Sequence, residues 1–329
     1  MMKRAFVAVL VKVFMVLTLT VFPLSALAAG PIKLKAVTFL PDYVEGVDAF
    51  KLFMDLVKKK SNGELVIDYL GSSEAMSEFE QGPAVQRGVL DIAWLPSAFY
   101  AGLAPGMKSL AYSQLTASEE RKSGAYDYIK ELHNKAGLVY LGRGTPCRVP
   151  FFYIFLNKEV KALSDLKGLK IVDGMTDAFL KKLGSIPVEI EFGEVYTAME
   201  RGTIDGWTFQ FPGISGMGWH EVTKYWIDHP FYMQDVVTIM NLKKFNGLPK
   251  NLQAVLMDAQ KQVEVDYLDT WAQHEANEKQ KAMKAGMKPL KFSDAEAKWF
   301  FDTAYSAAWE DQFKKHPDIA PKLKKLMSK

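Results

Sequence analysis

The sequence predicts an α/β protein made of two lobes. Three observations point there: the length, a strand–helix–strand rhythm at the start of the chain, and a short pattern that occurs twice. At roughly 150 residues per domain, 329 residues favour two compact units. Apolar residues make up 49% and charged residues 24%, a balance that can bury real cores and argues against disorder. Ala84 to Trp94 (A-V-Q-R-G-V-L-D-I-A-W) resembles Ala198 to Trp207 (A-M-E-R-G-T-I-D-G-W), with Asp91 and Asp205 in equivalent places. Each copy reads as a helix stopped by glycine, then a strand opened by aspartate with a tryptophan soon after. Two lobes on one plan, each aiming a strand end at a common place, suit a clamp.

Taken in order, Ile32 to Phe39 alternates apolar and polar residues as a half-buried strand does. Val47, Phe50, Phe53, Met54 and Val57 then fall at helical spacing up to Lys60, Ser61-Asn62-Gly63 ends the helix, and Leu65 to Leu70 is a second strand. This rhythm predicts parallel strands with right-handed crossovers and ligands beyond the strands' carboxyl ends. Gly137 to Leu156 holds two strand-like runs separated by glycine and proline, the first crossing between lobes, and Tyr232 to Leu242 returns as the second. Pro249 to Gly286 reads as one long helix with Leu252, Leu256, Val263 and Trp271 on its apolar stripe. Its length predicts that it lies across both lobes or kinks. Asp294 to Phe313 is a further helix, and Lys314-Lys315 and the lysines from Lys322 to Lys325 are a solvated surface.

The formal net charge of +3, from 41 bases and 38 acids, has one source. Lys3, Arg4 and Lys12 all lie in residues 1–28, which hold no acid. The rest of the chain balances, which gives no general electrostatic funnel for nucleic acid. Residues 1–28 read as a secretory leader: a basic start, an apolar core from Ala5 to Phe22, then Pro23 and the small-residue site Ala26-Leu27-Ala28. Cleavage there leaves a protein outside the cytoplasm with no later segment apolar enough to span a membrane. Cys147, alone, excludes an intramolecular disulfide framework.

No catalytic, cofactor or metal signature stands out. His220-Glu221 and His274-Glu275 lack a histidine four residues after the first, where Lys224 and Glu278 stand. Gly213-Ile214-Ser215-Gly216 is not a nucleophile elbow, and Gly142-Arg143-Gly144 lacks the third glycine of a dinucleotide loop. His220 and His229 want a third metal ligand that the local sequence does not offer. Cys147 beside Arg148 is the basis for an enzyme reading, a secreted hydrolase with a thiolate nucleophile. With no histidine placed to serve it, a buried inert thiol is the better reading. The expectation is a binding protein without catalytic residues, metal or cofactor.

Leu163-Ser164-Asp165-Leu166-Lys167-Gly168-Leu169-Lys170-Ile171 is followed by Gly184, Pro187 and the run from Phe192-Gly193-Glu194-Val195-Tyr196-Thr197 to Asp205-Gly206. This combination resembles the signature region of the solute-binding proteins of tripartite ATP-independent periplasmic (TRAP) transporters, of dicarboxylate-receptor type. The leader and the long helix extend the resemblance over the mature chain. It implies an α/β, two-lobed periplasmic binding protein (Venus-flytrap) fold, with mixed sheets flanked by helices and a long helix spanning both lobes. Lobe I would hold residues 29–147 plus about 235–265, and lobe II residues 148–234 plus about 266–329. It also implies capture of a small organic ligand by lobe closure in the periplasm. Delivery to the small and large subunits of a sodium-driven membrane permease would follow.

The sequence departs from the family pattern at its anchor. Most members carry an arginine directly after the K-I strand, paired with a ligand carboxylate; here Val172 stands in that place. A polar residue such as asparagine usually takes the third place after the D-G pair; here that place is Phe209, with Trp207 before it. A charge-assisted hydrogen bond contributes roughly 1.5–3 kcal/mol and a bidentate guanidinium makes two, so a carboxylate ligand needs another cation. Arg148, with Arg143 second, both on the first crossing, are the expected substitutes. Trp94, Phe152, Trp207 and Phe209 would face the ligand's apolar body. Phe39, Tyr43, Glu74 and Ser97 on the first lobe, and Tyr232 and Gln234 on the returning strand, complete the candidates, with Trp219 and His220 at the rim. The expected ligand is an aromatic or apolar-bodied carboxylate, with an uncharged or cationic compound as the alternative that the missing arginine leaves open.

Overall fold

The computed structural model describes residues 30–173, 175–233 and 235–329. The leader expected at residues 1–28 and the candidate Gln234 lie outside the described residues. The first half of the chain alternates as its hydrophobic pattern requires: β1 (Ile32–Thr38), α1 (Asp48–Lys60), β2 (Leu65–Tyr69), α2 (Glu78–Arg87) and β3 (Ile92–Pro96). Two helices, α3 (Ala117–Ser123) and α4 (Ala125–Lys135), then lead into β4 (Leu138–Arg143). α1 turns Ala49, Phe50, Phe53 and Val57 inward, with Asp48 in its first turn and Lys58 to Lys60 in its last, the charge order that the helix dipole favours.

The second half follows with β5 (Tyr153–Leu156), β6 (Lys170–Val172), α5 (Asp177–Lys182), β7 (Ile186–Val188), α6 (Val195–Glu200), β8 (Gly206–Phe209) and β9 (Tyr225–Ile227). Then come β10 (Val236–Asn241), α7 (Leu242–Asn246), α8 (Lys250–Asp266), α9 (Leu268–Lys284), β11 (Lys288–Leu290), α10 (Asp294–Lys315) and α11 (Ala320–Met327). The strands form two sheets, in the orders β2-β1-β3-β10-β4 and β11-β9-β5-β8-β6-β7. Parallel pairs dominate the expectation from the opening rhythm, and β1 does pair parallel with β2 and β3, as β6 does with β7 and β8. Both sheets are nevertheless mixed, because the strand that arrives from the other sheet enters reversed. β10 lies antiparallel between β3 and β4, and β5 antiparallel between β8 and β9.

The repeated pattern has a structural counterpart. α2 stops at Gly88 with φ of 79°, and α6 is followed by Gly202 with φ of 67°, a left-handed conformation that glycine adopts without a Cβ penalty. Asp91 and Asp205 then do the same work. Each carboxylate accepts from the backbone N–H of a lysine on the parallel neighbouring strand, Lys35 of β1 at 2.8 Å and Lys170 of β6 at 2.9 Å. Each aspartate N–H donates back to the same lysine's carbonyl. Gly206 after Asp205 is required by space, since a Cβ there would fall 2.3 Å from the Phe155 carbonyl oxygen of the neighbouring strand.

The expected single long helix is broken at Tyr267 into α8 and α9. α8 packs on α1 and β4, whereas α9 reaches the second sheet, with Trp271 against Phe151 and Glu275 bonded to the Tyr153 hydroxyl. The Tyr267 hydroxyl at the break and His274 on α9 both bond Asp48 of α1. The end of the chain, assigned from sequence to lobe II, divides. α10 packs on α5, but α11 packs on α3, α4 and the 3₁₀ turn Met107–Tyr112 beside the first sheet. Leu323 and Met327, fully buried there, supply the apolar area that holds it.

His133 of α4 is fully buried, with Nδ1 on the Ile129 carbonyl and Nε2 on the Tyr100 hydroxyl, each at 2.8 Å. Burial disfavours its charged form and pushes its pKa down to about 4 from 6.5. The unfolded chain therefore binds this proton first. Stability is expected to fall by about 3 kcal/mol as pH drops from about 6.5 to about 4, and to be unaffected by this group above that range. Urea denaturation at stepped pH checks it, since His133→Gln should flatten the acid limb; an equally steep limb in the variant would contradict the assignment.

Candidate functional site

The carboxyl ends of β1, β3, β6 and β8 meet in one cavity between the sheets. From the first sheet come Phe39, Pro96 and Phe99, with Phe79 of α2; from the second come Phe152, Val172, Trp207 and Phe209. Phe192, on the turn before α6, closes the cavity across the two halves. Its ring centroid lies 5.7 Å from Phe39 and 6.0 Å from Phe99 on one side, and 5.2 Å from Phe209 on the other. Trp219 stacks on it at 5.8 Å with planes 4° apart. Trp207 is fixed from behind by Phe155, stacked at 3.9 Å, and by donation of its Nε1–H to Thr223 Oγ1 at 3.0 Å. The space left is about 60 Å³, room for roughly four to six waters.

Polar bridges hold the halves together. Lys108 bonds Asp177 at 2.8 Å, the Tyr112 hydroxyl donates to the Met175 carbonyl at 3.1 Å, and Ser77 donates to Glu191 at 3.3 Å. Burial would pull the Lys108 ammonium down, but Asp173 and Asp177 together hold it above its ordinary value.

Among the described lining residues, the cavity's polar side chains are three acids and the Thr208 hydroxyl. Asp235, just before β10, is fully buried; its Oδ2 accepts from Ser97 Oγ at 2.7 Å and from the Ala98 N–H at 3.2 Å. Burial raises its pKa above the usual carboxylate range. Asp173, directly after β6, is also raised by burial, against the pull of Lys108, and accepts from the Thr176 backbone and, at 2.6 Å, from its hydroxyl. Glu189 completes the set, and no lysine or arginine is among the described lining residues.

Of the residues expected from sequence, Phe39, Phe152, Trp207 and Phe209 line the cavity. Trp94 is one layer back, stacked behind Phe39 at 5.2 Å. Ser97 is also one layer back, positioning Asp235. The arginine anchors are overturned. Arg143 is buried in a bidentate pair with Glu120, at 3.0 Å and 2.5 Å, and also donates to the Leu110 carbonyl. Arg148 lies on the surface, 51% exposed, bonded to Asp269 at 2.6 Å. In both cases a carboxylate distant in sequence took the guanidinium before any ligand could. Tyr43, 70% exposed, and Glu74 border a shallow groove at the mouth with Ser77 and Glu191. Tyr232 is core, its hydroxyl on the Ala304 carbonyl at 2.6 Å. Trp219 belongs to the wall, not the rim. Sequence reasoning missed Phe99, Phe192, Asp173 and Asp235. The signal for Asp235 was present: it is the one charged residue between Phe231 and Leu242.

A sequence model of the bacterial extracellular solute-binding proteins, family 7 (DctP), matches residues 38–316. The chain belongs to that family. It is a TRAP solute-binding protein, and its fold is the two-lobed one of periplasmic binding proteins. The 2,3-diketo-L-gulonate-binding periplasmic protein of Escherichia coli is 30% identical over 264 residues, 74% of this chain and 75% of that one. An extracytoplasmic solute receptor of Bordetella pertussis, solved binding pyroglutamic acid, superposes with a TM-score of 0.77 at 22% identity, over 90% of this chain and 99% of that one. A TRAP periplasmic protein of Desulfovibrio salexigens, with bound orotic acid, superposes with a TM-score of 0.80 at 18% identity, over 90% of this chain and 97% of that one. Val172 and Phe209, the two places where the resemblance led to the expectation of polar residues, both stand on the cavity wall. Among the described residues no helix is long and apolar enough to cross a membrane.

Proposed function

We propose that this TRAP solute-binding protein, exported by the leader at residues 1–28, takes one small organic solute with a ring or apolar body into the aromatic cavity. Lobe closure captures it, and the closed form is presented to membrane permease subunits with no turnover. The observation that carries this reading is the meeting of aromatic walls from both sheets at Phe192. Contacts from both halves are what make a ligand favour the closed arrangement. Apolar walls with a few fixed polar groups are the composition of a ligand site. The enzyme reading has less support: Cys147 is buried outside the cavity, with Sγ 3.7 Å from Met233 Sδ.

Relatives are named for organic acids, so pyroglutamate, orotate and phenylacetate make the first panel. Thermal unfolding of residues 29–329 is the test. A true ligand at 100 times its dissociation constant should stabilise the fold by about 2.7 kcal/mol. Cys147→Ser should leave that shift unchanged. No shift from any small ring compound, acid or otherwise, would overturn the reading, as would loss of binding in Cys147→Ser with the fold intact.

A further inference from the structure

Asp235 Oδ1 is a buried carboxylate oxygen with no hydrogen-bond partner among the described residues, on a residue that lines the cavity and has no exposed surface. Buried polar atoms are almost always paired, so an orphan in a ligand cavity marks where a ligand atom belongs. The bonds around it define what that atom is. Ser97 has one hydroxyl hydrogen, and its Oγ lies 2.7 Å from both the Met107 carbonyl and Asp235 Oδ2. If that hydrogen goes to Asp235, the carboxylate is ionised. If it goes to Met107, a proton on Oδ2 donates to Ser97 in turn. With the carboxyl ionised, or with its proton on Oδ2, Oδ1 accepts and the missing partner is a donor. A proton on Oδ1 would reverse the roles and call for an acceptor such as a carboxylate, the case that the benzoate arm of the test reads.

The surroundings select the kind of donor. Asp173 and Glu189 also line the cavity, with no lysine or arginine among the described lining residues, so the site favours positive polarity. The faces of Phe192, Phe209, Trp207 and Trp219 favour it again. A polyol would set most of its hydroxyls against aromatic rings, with Asp173, Glu189, Asp235 and Thr208 as the polar side chains to meet them among the described lining residues. We propose that the bound solute presents an N–H donor, carried on a ring or apolar body, to Asp235 Oδ1. This rests on the aromatic cavity being the solute site. A protonated amine and a neutral N–H share the chemistry.

The test uses benzylamine, benzamide and benzoate, which share a ring and differ in charge and donor, measured by calorimetry and thermal unfolding on residues 29–329. At least one N–H compound should bind tenfold or more tightly than benzoate. Asp235→Leu should abolish that preference. The near-isosteric Asp235→Asn guards against a folding defect, with circular dichroism as the check. Amine binding lost in Asp235→Asn identifies the charged donor, and amide binding retained identifies the neutral one. Benzoate binding as tightly as both N–H compounds, or a preference unchanged in Asp235→Leu, overturns the proposal and leaves the receptor reading standing. If no compound of this or the acid panel shifts unfolding, the receptor reading fails and the proposal with it.

Discussion

Glu120→Ala is expected to lower the unfolding free energy by about 3–5 kcal/mol. Glu120 is 1% exposed, Arg143 is 5% exposed, and two short bonds join them. Removing the acid takes both charged bonds from a guanidinium that sits where water does not reach, and the Leu110 carbonyl is no counter-charge. The cost lies in breaking the pair, not in lacking it. The double variant Glu120→Leu with Arg143→Met is therefore expected to fall within about 1 kcal/mol of the parent, as buried pairs replaced by apolar residues of similar size often do. Urea denaturation of the three proteins decides between these outcomes. A single-variant loss below about 1 kcal/mol would mean that Arg143 reaches solvent or another acid. The double variant should also keep solute affinity within twofold, because Arg143 is not on the cavity wall; a large loss would return it to the role of anchor.

Trp207→Ala is expected to cost about 3–5 kcal/mol of stability, the usual range for deleting a buried tryptophan. Its indole is 1% exposed, stacks on Phe155 at 3.9 Å with planes 9° apart, and donates to Thr223. The same ring is part of the cavity wall, so solute affinity should fall by tenfold or more in whatever fraction folds. Trp207→Phe separates the two effects. It keeps an aromatic face and leaves out the hydrogen bond, which is expected to cost about 1 kcal/mol and to weaken binding less. Denaturation paired with calorimetry reads both quantities, and affinity unchanged in a folded Trp207→Ala would remove Trp207 from the site.

What the sequence made legible follows the range over which its signals act. The alternation from Ile32 to Phe39, the helical spacing from Val47 to Lys60 and the doubled helix–glycine–aspartate pattern are local, and all became elements in the expected places. The wall residues Phe39, Trp207 and Phe209 were legible because each lies at or near the carboxyl end of a strand, where ligands of open sheets lie. Arg143 and Arg148 failed because a long charged side chain takes the acid that folding brings beside it. Glu120 and Asp269 are 23 and 121 residues away from them. Phe192 was invisible as a site residue for a similar reason. Nothing near it announces that Phe39 and Phe99 from the other sheet will meet its ring. The kink at Tyr267 could be foreseen from helix length, but not its place, which coincides with a bond to Asp48 more than two hundred residues earlier.

The chain passes between the two sheets more than twice: from β4 to β5, from β9 to β10, from α8 to β11, and back again from α10 to α11. Mechanically, a body tied to its neighbour by several short spans cannot slide past it unless all of them lengthen together. What remains easy is rotation, so the two halves work as a jaw. Phe192 is where its faces touch in this structure. A molecule between them is then gauged for thickness, and the angle at which the jaw stops is a physical record of what it holds.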